Sequence, residues 1–228
     1  MTMREKYLLA FLILIPIFSS FYFHTNVLPT MGTVREPCQV VIDVGHGGED
    51  PGKVGINHAL EKDVNLAIAH FLAKNLSAAG YSVQMTRETD VSLADTDAAN
   101  QKLSDLQNRV SFFASAAPLA VISIHQNSYP AESVHGTQVF YSPSEESKQL
   151  AHCIQTHCIR LLDPENHRTI KENRDYYLFQ HTTCPIVIVE CGFLSNHKEA
   201  SLLVNEDYQQ KTAWAIYMGT VQFLKTLE

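Results

Sequence analysis

Two histidines and a glutamate lie where predicted strands of this chain end. His46, His125 and Glu190 each follow a short run of apolar, largely β-branched residues. In open α/β sheets, ligands bind beyond the carboxyl ends of the strands, so residues at three such ends can converge on one pocket. Two imidazoles, a carboxylate ligand and a second, free carboxylate are the parts of a hydrolase that holds zinc with one open coordination position. The pattern therefore favours a zinc hydrolase.

Each histidine has an alternative interpretation. His46 is surrounded by Gly45, Gly47 and Gly48, and glycine-rich turns after a first strand also bind anions at a helix N-terminus. However, no Lys-Ser or Lys-Thr pair follows, and the spacing fits neither the P-loop nor the dinucleotide-binding fingerprint. For His125, the alternative is a structural histidine in a hydrogen-bond network at the top of the sheet. The pairing of the two histidines favours metal binding.

The carboxylates differ in how well the residues identify them. Spacing leaves five acids open as the third ligand, namely Asp43, Glu49, Asp50, Glu61 and Asp63. Glu61 lies in the first turn of a predicted helix, where an acid also stabilises the helix dipole without binding anything. Glu190 interrupts an apolar strand, and burying a carboxylate there costs several kcal/mol unless it is paired or functional. Glu190 is therefore predicted to move a proton near the zinc.

The periodicity predicts an α/β fold with one domain. Helices are predicted at Leu60–Ala79, Leu103–Ala116, Glu145–Leu162, Asn196–Val204 and Asp207–Leu227. Strands are predicted at Gln39–Val44, Tyr81–Thr86, Leu119–Ile124, Gly136–Ser142 and Ile186–Glu190, with a further edge strand at Tyr176–Gln180. Alternating strands and helices indicate a mostly parallel sheet flanked by helices. The zinc site is expected at the C-terminal ends of the strands.

The N-terminus differs from the rest of the chain. Arg4 and Lys6 precede an apolar run from Tyr7 to Phe23, slightly shorter than the ~20 residues of a spanning helix. We expect residues 1–26 to be a signal anchor that holds the protein to the membrane, with a cleaved signal peptide as the alternative. Residues 27–37 are predicted to be a linker and residues 38–228 the catalytic domain. In both cases that domain is exported.

Composition excludes some classes of protein. The net charge of −7 argues against a nucleic-acid partner. Five cysteines leave at least one unpaired, so a disulfide scaffold is not expected. Cys153 and Cys158 lie in one predicted helix, where five residues separate the Cα atoms by ~8–9 Å, beyond the ~7 Å reach of a disulfide. Cys38 and Cys191 are expected to be small buried hydrophobic residues.

Several motifs together resemble a known family. They are Asp43–Gly52, Leu60–Asp63, Thr86–Asp90, Ser123–Asn127 and Glu190–Asn196. In this order and at these intervals, the chain resembles the zinc-dependent N-acetylmuramoyl-L-alanine amidases of the Amidase_3 type from Val40 to about Leu224. The resemblance implies that His46, Glu61 and His125 hold zinc and that Glu190 is the catalytic carboxylate. It also implies hydrolysis of the amide between N-acetylmuramic acid and L-alanine in peptidoglycan.

The polar stretch Ser92–Gln101 and the lone N-terminal leader most resemble the spore-cortex, germination-related branch of this family. There the amidase strips stem peptides so that muramic-δ-lactam forms with a separate deacetylase. The protein would be membrane-anchored or secreted, facing the cell wall or the forespore cortex. Three alternatives stay open, namely a vegetative wall amidase, a wall-binding protein that needs an activating protein partner, and another exported zinc peptidase.

Four positions qualify the resemblance. Val44 and Lys53 depart from the family pattern, and Lys53 is predicted to lie near the cleft, where it could alter substrate choice. Arg174 is predicted to contact substrate carboxylates, with an exposed structural arginine as the equal alternative. Cys191 is not expected to act as a nucleophile, because the adjacent glutamate raises the pKa of its thiol.

Overall fold

The computed structural model describes residues 38–227, together with Met3. Residues from Pro37 to Glu228 form one compact unit. Within the described residues, no helix combines the length and the apolar character that crossing a bilayer requires. The predicted leader (residues 1–26, apart from Met3) and linker (residues 27–37) lie outside the described part of the chain. Their boundaries therefore stay predictions.

The described residues form a six-stranded sheet. Its strands are β1 (Val40–Val44), β2 (Val83–Met85), β3 (Ala120–Asn127), β4 (Gln138–Tyr141), β5 (Lys171–Glu172) and β6 (Ile186–Phe193). The spatial order is β2-β1-β3-β6-β4-β5. All neighbours pair parallel except β4 and β6, which pair antiparallel. The predicted α/β class with a mostly parallel sheet is confirmed.

Six helices accompany these strands in the described part of the chain, four of them between strands and two after β6. They are α1 (Glu61–Ala78), α2 (Gln101–Ala116), α3 (Glu145–Leu162), α4 (Tyr177–His181), α5 (His197–Leu203) and α6 (Glu206–Leu224). Short polar side chains cap several of them: Asn100 accepts a hydrogen bond from Leu103 N in α2, and Ser144 accepts one from Ser147 N in α3. Such caps satisfy amides that have no partner within the helix.

The sheet separates two apolar cores, as the period of two along a strand requires. Val40, Ile42 and Val44 of β1 pack in the larger core with α1, α3 and α6. Val41 points the other way, into a smaller core with Phe113 of α2 and residues of α4. Both faces of β1 are therefore covered, which explains why its five residues are all buried. Because both faces are covered, a ligand can reach polar side chains only where the strands end.

The segment Tyr176–Gln180 is not the predicted edge strand. It falls largely in the short helix α4, where Phe179 N and Gln180 N both donate to Tyr176 O. Leu178 and Phe179 are adjacent and both buried in the smaller core. In a strand, adjacent side chains point to opposite faces of the sheet. The helical turn instead allows the side chains of both Leu178 and Phe179 to be buried in the smaller core.

Two further details differ from the sequence prediction. The stretch 163–175, where the sequence predicts neither helix nor strand, contains β5, a two-residue exposed strand without the apolar alternation that would reveal it. In addition, β3 and β6 extend past His125 and Glu190 by two or three residues. The register shifts between His125 and Asn127, which marks an irregularity in the pairing just after the histidine. Both side chains therefore project from within strands rather than from the loops after them.

Candidate active site

The structure brings together His46, Glu61 and His125. His46 Nε2 lies 3.2 Å from Glu61 Oε1, and His125 Nδ1 lies 3.0 Å from the same oxygen. The two imidazole rings are 5.0 Å apart and meet edge to face at 77°. One donor atom from each of the three residues lies within 4.8 Å of the others. Two nitrogens and one carboxylate oxygen thus converge on one point.

Each of the three side chains comes from a different element. His46 lies in the loop after β1 and has φ 62, a left-handed backbone conformation that is uncommon for a non-glycine residue. Glu61 is the first residue of α1, whose N-terminal amides bond to the loop before it: Glu61 N donates to Lys53 O and Lys62 N to Pro51 O. His125 projects from β3. The convergence is therefore produced by three segments that are distant in the sequence.

Two glycines make room for this packing. A Cβ atom at Gly45 would collide with the His125 ring, and one at Gly52 would lie 2.6 Å from both Glu61 Oε2 and His46 Cδ2. Gly52 also has φ +65, which favours glycine. The glycine-rich loop is therefore required by close approach to the site as well as by its bends.

Hydrogen bonds orient each ring and carboxylate. Asp50 Oδ2 lies 2.8 Å from His46 Nδ1, which leaves Nε2 directed at Glu61. Glu61 also accepts bonds from two backbone amides, from Gln126 N to Oε1 at 3.0 Å and from Lys53 N to Oε2 at 2.7 Å. A carboxylate hydrogen-bonded to the outer nitrogen of a histidine is a common way to fix a metal-binding imidazole.

The charges of the three residues are strongly coupled. Burial alone would raise the pKa of Glu61, but hydrogen bonds from His125 and His46 outweigh it and hold the pKa far below its usual value. Burial alone would lower the pKa of His46, yet Glu61 and Asp50 raise it to about 8. Glu61 is therefore a carboxylate at neutral pH, and it attracts a positive charge into the space between the rings.

Glu190 is the second carboxylate of the site. It is half-buried, its Oε2 is buried, and that oxygen has no hydrogen-bond partner among the described residues. Burial raises the pKa of Glu190 to about 7. A carboxyl group with a pKa near neutrality exchanges protons readily at physiological pH, and an unpartnered buried oxygen indicates a group held for a ligand or reaction.

A cleft of about 810 Å³ contains all of these groups. His46, Glu61, His125 and Glu190 line it. Residues of α2 and of the start of α4 also line it, namely Gln101, Lys102, Asp105, Leu106, Tyr176, Tyr177 and Leu178. This volume lies in the range of small-molecule and cofactor sites, so the cleft can admit a peptide bond and its flanking groups.

The structure distinguishes the five acids that spacing left open. Glu61 joins the histidines, whereas Asp50 bonds to the outer nitrogen of His46, Nδ1, and to the amide of Gly52. Asp43 is fully buried beneath the site and forms an ion pair with Arg109 at 2.6 Å. Glu49 lines the cleft, and Asp63 is exposed on α1. Nothing in the spacing could have separated these roles, because they depend on which residues fold together.

Lys53 and Arg174 are not among the residues that line the cleft. The side chain of Lys53 is exposed and does not line the cleft, although its backbone amide holds Glu61. Arg174 is 73% exposed, also lies off the cleft, and pairs with Glu172 at 2.6 Å. The alternative for Arg174, an exposed structural arginine, therefore describes it better than substrate binding.

The cysteines behave as the sequence predicted. All five are free thiols, and Cys38, Cys153, Cys158 and Cys191 are buried. Burial raises the pKa of the Cys191 thiol well above its usual value. A thiol so protonated is a poor nucleophile, so the chemistry of the cleft belongs to the histidines and carboxylates.

Sequence reasoning missed several residues that support the site. Tyr176 and Tyr177 form part of the cleft wall, but lay in a segment assigned to an edge strand. Arg87 and Arg109 donate to the carbonyl of His46 at 2.7 and 3.0 Å. Arg87 belongs to the motif Thr86–Asp90, whose residues resemble the family pattern but predict no role by themselves. Only that motif hinted at this support.

Comparisons with known proteins agree with this geometry. The Amidase_3 model, described as N-acetylmuramoyl-L-alanine amidase, matches residues 40–222. The chain is 36% identical over 236 residues to the germination-specific N-acetylmuramoyl-L-alanine amidase of Bacillus subtilis (strain 168), covering 97% of this chain and 96% of that protein. These matches extend over nearly the whole domain rather than over single motifs.

Solved structures show the same fold. The CwlD amidase from Clostridioides difficile, in complex with the GerS lipoprotein, superposes with a TM-score of 0.80 at 38% identity, covering 82% of this chain and 98% of that one. The amidase AmiC2 of Nostoc punctiforme superposes with a TM-score of 0.73 at 29% identity, covering 83% and 98%. The chain therefore belongs to the Amidase_3 family of N-acetylmuramoyl-L-alanine amidases, enzymes that hydrolyse the amide between N-acetylmuramic acid and L-alanine in peptidoglycan.

Proposed function

We propose that this amidase uses zinc held by His46, Glu61 and His125. The support is the convergence of two imidazole nitrogens and one carboxylate oxygen within 4.8 Å. Catalytic zinc sites commonly combine three protein ligands of these types with an open fourth position. The low pKa of Glu61 supports the same assignment, because its carboxylate keeps its negative charge at neutral pH. Zinc bound there supplies a Lewis acid for the scissile carbonyl and lowers the pKa of a water molecule.

Glu190 is the proton-transferring group in this proposal. Its carboxylate takes a proton from the attacking water as the C–O bond forms, and returns it to the departing nitrogen as the C–N bond breaks. The products are the lactyl carboxylate on the glycan and the free amine of L-alanine. A pKa near 7 suits a group that must act as base and then as acid.

The substrate enters along the cleft. The scissile amide lies against His46, His125 and Glu190, and the flanking groups extend toward the wall formed by Tyr176 and Tyr177. These aromatic side chains offer apolar surface with polar hydroxyls, which suits a ligand made of sugar and peptide. The enzyme acts on peptidoglycan and so faces the cell wall. Export follows from residues 1–26 acting as signal anchor or signal peptide, with residues 27–37 as linker and residues 38–228 as catalytic domain.

Spore cortex is the proposed form of the substrate. The relative from Bacillus subtilis is named germination-specific, and it aligns with nearly the full length of this chain. Stem peptides removed from cortex would leave muramic acid free for muramic-δ-lactam formation by a separate deacetylase. The Clostridioides difficile structure is a complex with a lipoprotein, which supports a protein partner for this chain as well.

Metal content and product identity test the proposal together. The full-length protein should bind one zinc and release stem peptides from purified cortex. His46→Ala and His125→Ala should lose both properties, whereas His152→Ala, at an exposed position on α3, should keep them. Equal zinc content in all four proteins would overturn the ligand assignment. Preference for vegetative wall over cortex would overturn the assignment to spores while leaving the chemistry intact.

A further inference from the structure

Arg87 is a buried arginine whose hydrogen bonds, in the described part of the chain, all go to the backbone. It is 3% exposed. Its guanidinium donates to five carbonyl oxygens at 2.7–3.3 Å, those of Val44, Gly45, His46, Lys62 and Thr89. Burial next to the charge of Arg109 lowers its pKa. Burying a cation that has no ion-pair partner among the described residues is costly, and the five carbonyl acceptors offset that cost only in this position.

The acceptors lie on two segments that carry the proposed metal ligands. Nη2 of Arg87 donates to Gly45 O at 3.1 Å and to Lys62 O at 2.8 Å. Gly45 precedes His46 in the loop after β1, and Lys62 follows Glu61 in the first turn of α1. One nitrogen atom therefore connects the two segments directly. Nε of the same guanidinium holds His46 O at 2.7 Å.

A second connection runs alongside the first. Asp90 accepts from Gly48 N at 2.8 Å and from Lys62 Nζ at 2.6 Å, and Lys62 Nζ also donates to Gly48 O at 2.8 Å. Arg87 and Asp90 are two of the three charged residues of the motif Thr86–Asp90, the third being the exposed Glu88. Both residues connect the loop that carries His46 to the helix that begins with Glu61, so two side chains of this motif hold the same two segments together.

His46 needs such support. Its φ of 62 is a conformation that non-glycine residues keep only when their surroundings enforce it. Its side chain is half-buried and makes bonds to Asp50 and Glu61 alone among the described residues. Asp50 and Glu61 orient the ring, whereas Arg87 and Arg109 hold the backbone carbonyl of His46 and so stabilise the conformation from which the ring projects.

We propose that Arg87 is a positioning residue that fixes the separation of His46 and Glu61 and thereby sets the zinc affinity of the site. The proposal rests on the metal site of the proposed function. Arginine suits this role because its planar fork reaches carbonyls in several directions, whereas the single ammonium of lysine cannot reach both segments in the same way. Arg87 is not among the residues that line the cleft, so it acts through His46 and Glu61.

Zinc affinity of the full-length protein tests the proposal. Dissociation constants would be measured by competition with a chromogenic chelator for wild type, Arg87→Lys and Arg87→Gln. We expect both variants to bind zinc about 10–100-fold more weakly, as for other changes behind metal ligands. The absorption spectrum of the cobalt-substituted protein should also change. This spectrum depends on the coordination geometry of the metal, whereas a general loss of stability leaves that geometry unaltered.

Arg168→Gln is the matched control. Arg168 is half-buried and donates to His135 O and Gln138 Oε1, away from the ligand-bearing segments. It should lose stability yet keep the zinc affinity and cobalt spectrum of wild type. If Arg87→Gln does not fold, Arg87→Lys decides, because it retains the buried charge. Wild-type affinity and spectrum in the folded Arg87 variants would overturn the proposal, whereas a wild-type protein without zinc would overturn the metal site itself.

Discussion

His125 on β3 and Glu190 on β6 are register partners in a parallel pair of strands. Partners at one level of a parallel pair project to the same face of the sheet. The proposed zinc ligand and the proposed proton carrier are thus neighbours by sheet geometry, without relying on a flexible loop. Because the two proposed roles belong to different side chains, a mutation can remove the acid–base group and leave the metal ligands in place.

Glu190→Gln should separate metal binding from turnover. The variant keeps the shape of the side chain but cannot accept a proton, so we expect kcat to fall by about 10²–10⁴-fold. Zinc content, measured by elemental mass spectrometry, should equal that of wild type because the three ligands are untouched. Glu165→Gln, on the exposed surface, serves as control. Substantial activity in Glu190→Gln would show that another group transfers the proton.

Gly45→Ala should weaken metal binding through a purely steric effect. The new methyl group would meet the ring of His125, so the ring must move away from its bonding position beside Glu61. We expect zinc to bind at least about tenfold more weakly, in line with other changes to the support of metal ligands. Gly80→Ala is the control for a loss of stability without a clash: its φ of +89 strains any side chain, but no heavy atom lies within 4 Å of the added Cβ, so this variant should lose stability and keep its zinc affinity. Unchanged zinc affinity in Gly45→Ala would mean that the packing of this loop adjusts freely.

Asp43→Asn should destabilise the fold. Asp43 and Arg109 are 0% and 2% exposed and their charged atoms lie 2.6 Å apart. Removing one charge leaves the other buried with less compensation, and we expect the free energy of unfolding of the zinc-free protein to fall by about 3 kcal/mol. Breaking the exposed pair of Glu172 and Arg174 with Glu172→Gln should cost about 1 kcal/mol or less. Equal losses in denaturant unfolding would contradict a special role for the buried pair.

The same pair predicts a dependence on pH. Burial would raise the pKa of Asp43, but the charge of Arg109 and a hydrogen bond from Ser123 outweigh it and hold the pKa below its usual value. The ionised Asp43 therefore stabilises the fold above the unfolded pKa of about 4. That contribution is lost as the pH falls through the lower, folded pKa. Zinc-free wild type should lose more stability between about pH 5 and pH 2 than Asp43→Asn, and parallel curves would contradict this.

The sequence predicted most of the elements because their patterns are local. β1 and β3 are apolar runs with turn signals on both sides, and α1 ends near Gly80, as helices often do. Glu190 was recognisable as an acid in an apolar strand. Over the five residues Tyr176–Gln180, the sequence is too short to distinguish the period of a strand from that of a helix. The burial of both Leu178 and Phe179 favours the helix.

The parts that escaped prediction depend on contacts between distant segments. Spacing could not choose Glu61 over Asp43 or Asp50, because all three lie near His46 in the sequence and differ only in what surrounds them. The resemblance to a family made that choice. The carbonyl contacts of Arg87 were equally hidden, since backbone acceptors leave no trace in a sequence.

The most direct test of the central claim is mass spectrometry of the products released from purified peptidoglycan by the zinc-loaded, full-length protein. We predict free stem peptides that begin with L-alanine, together with glycan strands of intact length that carry unsubstituted lactyl groups. Cortex should be cleaved faster than vegetative wall. Shortened glycan strands, or peptides cut within the stem, would contradict the assignment of the cleft to the bond between N-acetylmuramic acid and L-alanine.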